Sequence, residues 1–184
     1  TLDPNDDGEG SITDKKIWWA TFDLKLATQQ LFGNKDLGFM AGYQFNQASL
    51  NTITYNSDDI ANEEETSLKQ DAGGKTIMHS AFAQVDYAFM DDWSFLLGGR
   101  LDSWKAEGGH DTKYGYGSYD HQFDDRKQTR FSPKFSLGWN PGPYSARYSF
   151  SRAYRFALAQ ELYESSSTGL SENIPDPSLG PENG

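Results

Sequence analysis

Cysteine is absent from the 184 residues, so neither a disulfide nor a thiolate metal centre can form. No run of 18 apolar residues occurs. That excludes a transmembrane helix but says nothing against a membrane-crossing β-barrel, whose strands carry a weak hydrophobic signal. Positive charge is short: 16 Lys and Arg stand against 27 Asp and Glu, a net charge of −11. Such a chain lacks the basic face that nucleic acid requires. Histidine is scarce, at positions 79, 110 and 121, and Ser165-Ser166-Ser167 has no base beside it. No Ser/His/acid set converges, so the chain does not read as an enzyme. It opens at Thr1 without Met or a signal peptide and stops at Gly184 in a Pro/Gly-rich stretch, and it reads as a piece of a longer polypeptide.

What is abundant is aromatic. Phe, Tyr and Trp make up 15% of a chain that is only 36% apolar. So many rings in so polar a chain fit a membrane barrel, where alternate residues face lipid and ring girdles mark both interfaces.

The rings fall at period 2, the spacing of a strand with one apolar and one wet face. The clearest stretch sets Phe131, Pro133, Phe135, Leu137 and Trp139 against Arg130, Ser132, Lys134, Ser136 and Gly138. Asn140-Pro141-Gly142-Pro143 forces a reversal. Tyr144, Ala146, Tyr148 and Phe150 then alternate with Ser145, Arg147, Ser149 and Ser151. The same alternation runs through 16–28, 37–48, 77–89 and 93–104. Gly38 and Gly42 on a polar face predict a close approach by another group.

Six strands of about a dozen residues each suit a tilted crossing of ~9–11 residues with margins. The links alternate in length. Residues 29–36, 90–92 and 140–143 are short and share one side. Residues 1–15, 51–75, 105–128 and the stretch after Phe156 are long, polar and acidic, and share the other. The expected fold is therefore all-β: an antiparallel transmembrane β-barrel segment with short periplasmic turns and long extracellular loops. The competing fold is a soluble sandwich or up-and-down barrel, in which the apolar stripes are the core. The wet faces, rich in Ser, Gly, Gln and Asn with spaced charges, favour a solvated lumen.

Several ordered motifs resemble the barrel of TonB-dependent outer-membrane receptors. They are Phe131-Ser132-Pro133, a strand ending at Tyr154-Arg155-Phe156, Gln160-Glu161-Leu162-Tyr163, and Asp176-Pro177-Ser178-Leu179-Gly180-Pro181-Glu182. Gly98-Gly99-Arg100-Leu101-Asp102 upstream also matches the family's hairpin. The likeness is specific over 77–184 and generic over 16–50. Ala157-Leu158-Ala159 replaces the family's usual Pro after the aromatic, and Gly180 stands where Lys is common. The resemblance implies about six strands of a 22-stranded barrel, residues 1–184 being part of one barrel domain. It places the plug domain and the other strands outside this chain. It further implies the bacterial outer membrane, its lipid, and a TonB-type energy-coupling protein acting through the plug. The expected function is import of a scarce nutrient, foremost a ferric siderophore, a small-molecule metal chelate. The alternatives are a passive porin-like or structural barrel and a soluble β carbohydrate-binding module.

Three sets of side chains are candidates for sites. Tyr114, Tyr116, Tyr119 and His121, with Arg126 and Arg130, could grip an anionic, ring-bearing chelate by stacking and charge. Arg100, Asp102, Lys134, Arg147 and Arg155 are expected to face the lumen and its plug. No cofactor is required. Residues 3–14 nevertheless follow a calcium-loop spacing, with Asp3, Asn5, Asp7, Glu9 and Asp14 as oxygen donors and Gly8 at the sharp turn. Arg152 interrupts an outward apolar stripe where it could meet acidic lipid headgroups.

Overall fold

A computed structural model describes residues 8, 10–164, 166–168, 171–173 and 176–184. Its main element is one antiparallel sheet. The strands are β1 (Gly10–Thr28), β2 (Leu37–Asp59), β3 (Glu64–Met90), β4 (Trp93–Lys113), β5 (Tyr119–Gln122), β6 (Arg126–Trp139) and β7 (Ala146–Ser151). Their order is β1-β2-β3-β4-β6-β7, with β5 added alongside the far end of β4. β8 (Tyr154–Arg155) follows β7, and then a short helix α1 (Ala159–Tyr163). β9 (Ser166–Thr168) pairs with β10 (Ser171–Asn173), and β11 (Glu182–Asn183) pairs back with β8.

Register assigns each side chain to a face. Thr21 pairs with Asn46, Gln44 with Ser80, Ser80 with Asp102, and Asp102 with Arg130. These polar groups make the inner face. The outer face is the other parity: Trp18, Phe22, Leu24 and Leu26 on β1, Leu97 and Leu101 on β4, Phe131 on β6, Tyr148 and Phe150 on β7. All nine are exposed. A soluble sandwich would bury this stripe as its core. Here the stripe is continuous and uncovered, as only a lipid-facing wall allows in a folded protein.

Rings border the band at both ends. Near the short turns, Tyr87 meets Phe95 edge-on at 5.8 Å, and Trp93 lies 5.9 Å from Trp139. Toward the other end, Phe22 and Tyr43 approach at 6.4 Å, and Phe45 lies 5.2 Å from His79. The Tyr43 hydroxyl is 2.7 Å from His79 Nδ1. Gly42 meets its predicted close neighbour: a Cβ there would lie 2.3 Å from the Phe82 ring, which crosses over from β3.

The short links lie where expected, but the long ones are not loops. Residues 51–75 continue the β2–β3 ladder to a single turn of 3-10 helix at Ile60–Asn62. Asp59 caps that turn by accepting from the Asn62 N–H at 3.2 Å. Residues 105–113 prolong β4, and 119–122 return along it as β5. Within 1–15, strand begins at Gly10. The reason is solvent. Past the bilayer both faces of a strand are wet, so its sequence loses alternation while its backbone keeps pairing. The stretch after Phe156 is also more than a loop, because it carries α1 and the β8–β11 pair.

Candidate functional site

The chain leaves β7 and turns onto the inner face at the long-link end. The Arg152 N–H donates to the Pro133 carbonyl at 3.0 Å, holding the exit of the strand. Phe156 stacks on Trp104 at 5.9 Å. α1 then buries Ala159, Leu162 and Tyr163 against Leu50, Trp104 and Ala106 of the sheet. Leu162 is 0% exposed. A helix of five residues has no stability of its own. Contacts make it: the Glu161 carboxylate accepts from the Leu158 N–H at 2.9 Å and from the Arg155 guanidinium. Arg155 also reaches Glu182 at 3.3 Å, and Lys15 of β1 pairs with Glu164. The hydrogen bond from Leu158 and the charge of Arg155 hold the Glu161 carboxyl below the usual carboxylate range.

Tyr163 seats this segment. Its ring lies over Gly74 and Gly109, where an added Cβ would come within 2.4 and 2.3 Å of it. No larger residue fits beneath the ring. Tyr163 also stacks on Phe123 at 6.0 Å. His121 lies 6.5 Å from Phe123, and Tyr119 stacks on His121 at 4.7 Å. Register places Tyr119 opposite Lys113 and His121 opposite Asp111, at the inner-face positions that continue from Trp104. Tyr119, His121, Phe123 and Tyr163 therefore form one ladder of rings up the inner wall. The Tyr119 hydroxyl donates to Asp111 Oδ2 at 3.0 Å, and Gln70 Nε2 donates to Asp111 Oδ1 at 2.7 Å. Burial, with Asp111 beside it, pushes the Tyr119 phenol up, and burial does the same for Tyr163, so both rings stay neutral.

Below the ladder, an inner cavity of about 620 Å³ is bounded by Trp19, Arg100, Asp102, Trp104, Tyr154 and Phe156. Arg100 donates through Nε to Asp102 Oδ1, and through its terminal nitrogen to Gln44 Oε1 and Ser80 Oγ, each at 2.7 Å. The Arg130 guanidinium lies 5.8 Å from the centre of the Tyr154 ring.

A family model described as TonB dependent receptor-like, beta-barrel, matches residues 2–184. The chain belongs to the TonB-dependent receptor family. No curated protein and no solved structure matches it. Membership fixes the frame: a bacterial outer-membrane barrel of a transporter family that does no covalent chemistry. The exposed stripe is its lipid face, the short turns are periplasmic, and the ring ladder stands at the extracellular mouth.

Within this receptor barrel the candidate ligand residues divide. Tyr119 and His121 stand together in the ring ladder. Arg126 donates to the Pro177 carbonyl, while Arg130 lies lower on the inner wall, opposite Asp102 and beside Tyr154. Tyr114 and Tyr116 sit at the tip between β4 and β5, and both are exposed to solvent. Among the lumen candidates, Arg100 and Asp102 form the wall network, while Lys134 and Arg147 lie at inner-face positions of β6 and β7. Arg155 is engaged by Glu161 and Glu182 within its own segment. The calcium donors Asp3, Asn5, Asp7 and Glu9 lie outside the described residues. Asp14 is in β1, its carboxylate 3.0 Å from the Lys16 ammonium. Gln44, Ser80 and Trp104 were not among the sequence candidates, although strand parity alone puts all three on the Arg100 face. The role of Tyr163 rests on Gly74 and Gly109, whose emptiness has meaning only once the two strands are side by side.

Proposed function

We propose that this barrel wall serves energy-coupled import of a ferric siderophore. One observation carries the reading. The extracellular mouth presents a ladder of rings with Arg126 near Tyr163 at its foot, on the face that leads down to the cavity where Arg130 stands beside Tyr154. Rings accept the flat parts of a chelate by stacking, and guanidinium groups complement its negative charge. The barrel is completed to 22 strands by segments beyond these residues, and a plug within it couples to the periplasmic energy-transducing partner. Two observations support this closure. β1 and β7 each have one ladder partner in the main sheet, and open strand edges are not stable in hydrocarbon. The residues ahead of β1, with Asp3, Asn5, Asp7 and Glu9 as donors and without the strand residue Asp14, are proposed to hold calcium outside the membrane. Calorimetry would give calcium-dependent heat that Asp7→Ala removes.

Uptake by a deletion strain complemented with the full-length receptor tests the transport reading. A panel of labelled ferric chelates, haem, cobalamin, oligosaccharides and peptides would be offered. The expected result is uptake of a ferric chelate that depends on the energy-coupling protein. Tyr119→Ala with His121→Ala should weaken its binding by roughly 10- to 100-fold, the loss of two stacking contacts of about 1 kcal/mol each plus buried area. Uptake that persists without the coupling protein would mean a passive barrel. Selective uptake of any other class would overturn the chelate assignment.

A further inference from the structure

One strand of the inner wall carries a file of cations. The inward side chains of β6 run Arg126, Gln128, Arg130, Ser132, Lys134 and Ser136, from the extracellular end toward the short turns. Arg147 of β7 stands opposite Gly138, one further step along. A cation therefore recurs at every fourth residue, a spacing of ~13 Å at the rise of a strand. Between the cations come neutral groups: Gln128, Ser132, and the Ser136 and Ser149 hydroxyls, 3.0 Å apart. Ser151 is opposite Lys134. No carboxylate occupies an inward position of β6 or β7 between Arg126 and Arg147. The chain as a whole has a net charge of −11, so its composition does not account for the file.

Three other cations on this side have acidic partners: Lys15 meets Glu164, Arg100 meets Asp102, and Arg155 meets Glu161. Arg126, Arg130, Lys134 and Arg147 form no ion pair among the described residues. Arg126 donates to the Pro177 carbonyl, with Asp176 acting on it from the returning segment. Arg130 lies 3.4 Å from Gln128 Oε1 and beside the Tyr154 ring. Asp102 faces Arg130 across the β4–β6 ladder, but Arg100 already compensates its charge. The spacing along the file exceeds the Debye length of ~8 Å at physiological salt, so neighbouring cations repel one another little. Open space borders the file. The cavity of about 620 Å³ shares Arg100, Ser132 and Ala153 with a second cavity of about 270 Å³, which continues to Lys134 and Ser151. The two lie in series down the wall.

We propose that this file is the transit path of an anionic substrate, which moves along the wall from Arg126 past Arg130 and Lys134 to Arg147. The proposal rests on the ferric-chelate reading, in which the substrate brings negative charge into the lumen. Long flexible side chains close part of each gap between cations. The hydroxyls between them supply hydrogen bonds in place of water. Several weak sites in a row pass an ion on, where one strong site would hold it. A cleft lined by one sign of charge raises the local supply of the opposite ion by roughly 10- to 1000-fold. Energy coupling gives the movement its direction, and the file keeps the substrate on this wall.

The test uses the full-length receptor in whole cells, with a radiolabelled trianionic ferric tricatecholate as the probe. Binding is measured on de-energised cells and the maximal uptake rate on energised ones. The variant combines Lys134→Gln and Arg147→Gln, both well below the mouth. Its uptake rate should fall roughly tenfold while its binding constant stays within about twofold of the native value. The conservative pair Lys134→Arg with Arg147→Lys should restore the rate. The control, Lys25→Gln with Lys35→Gln, removes the same charge away from the file and should leave the rate unchanged. An unchanged rate in the Lys134/Arg147 variant, an equal fall in the control, or no restoration by the conservative pair would overturn the path. So would slowed uptake accompanied by new sensitivity to a bulky antibiotic, which would assign the two cations to holding the plug. A native receptor that does not import the anionic probe would also overturn it; the wider uptake panel then shows whether the chelate reading falls too. Should the double variant not assemble, Lys134→Gln alone decides, because this exposed side chain makes no ion pair among the described residues. A loss of roughly threefold in rate is expected there, and no loss would refute the path.

Discussion

At the scale of single residues, the inner wall rests on Arg100. Asp102 is 3% exposed, and its carboxylate is compensated by the Arg100 guanidinium, which also satisfies Gln44 and Ser80. Removing Arg100 leaves a buried charge with no counter-ion, a change that typically destabilises by ~3–5 kcal/mol. Because the Arg100 side chain is itself one-third exposed, Arg100→Ala should fall near the lower end. Denaturant titration of the refolded receptor would show a lower midpoint. The double change Arg100→Met with Asp102→Leu should recover most of the loss; no recovery would mean that the pair is not the origin. The candidates Arg100 and Asp102 were legible from parity and from the Gly98–Asp102 motif. Their partners were not, because Gln44 and Ser80 lie two strands and one strand away, and sequence spacing carries no register.

At the scale of elements, the inward segment is held by a ring over two glycines and by one carboxylate. Gly109→Ala places a methyl group 2.3 Å from the Tyr163 ring, so either the ring or the strand must move. Overpacking of this kind costs about 1–3 kcal/mol. Hydrogen exchange at residues 156–164 should accelerate, and Tyr163→Ala in the same background should cancel the steric part. The Glu161 carboxyl is held below its ordinary value of 4.5. A depressed acid contributes stability that is complete above that ordinary value and disappears as pH falls through the lower folded value. The thermal midpoint of the segment should therefore be level from neutral pH to about 5 and drop below that. Glu161→Gln should begin lower at neutral pH and show a shallower acid fall. A native fall that starts near pH 6 would point to histidine instead. Gln160–Tyr163 was visible in the sequence as a motif, but its inward docking was not, since nothing local distinguishes a helix turn packed on a wall from one on a loop.

At the scale of the whole molecule, strand direction, outer and inner parity and the sidedness of the links were all readable from the sequence. Strand length was not. β2 and β3 run for 23 and 27 residues, while a tilted crossing uses only ~9–11. More than half of that hairpin therefore stands in water, where alternation ceases to report pairing. Replacing residues 52–72 by Asn-Gly should leave an assembled, heat-resistant barrel, because Asn51 and Gly73 already face each other at turn distance. Loss of assembly would show that the hairpin braces the wall. The plan of the sheet also sets an order of events. β1–β2, β2–β3, β3–β4 and β6–β7 are neighbours in sequence as well as in space, and only the short β5 comes between β4 and β6. The β2–β3 pair starts at Asp59 and Glu64, flanking the Ile60–Asn62 turn, and can zip from there to Leu37 and Tyr87 without a large loop ever closing at once. Local contacts form fast. The slow step of assembly is then left to the two outer edges, Gly10–Thr28 and Ala146–Ser151, which must find the remaining wall over a long range.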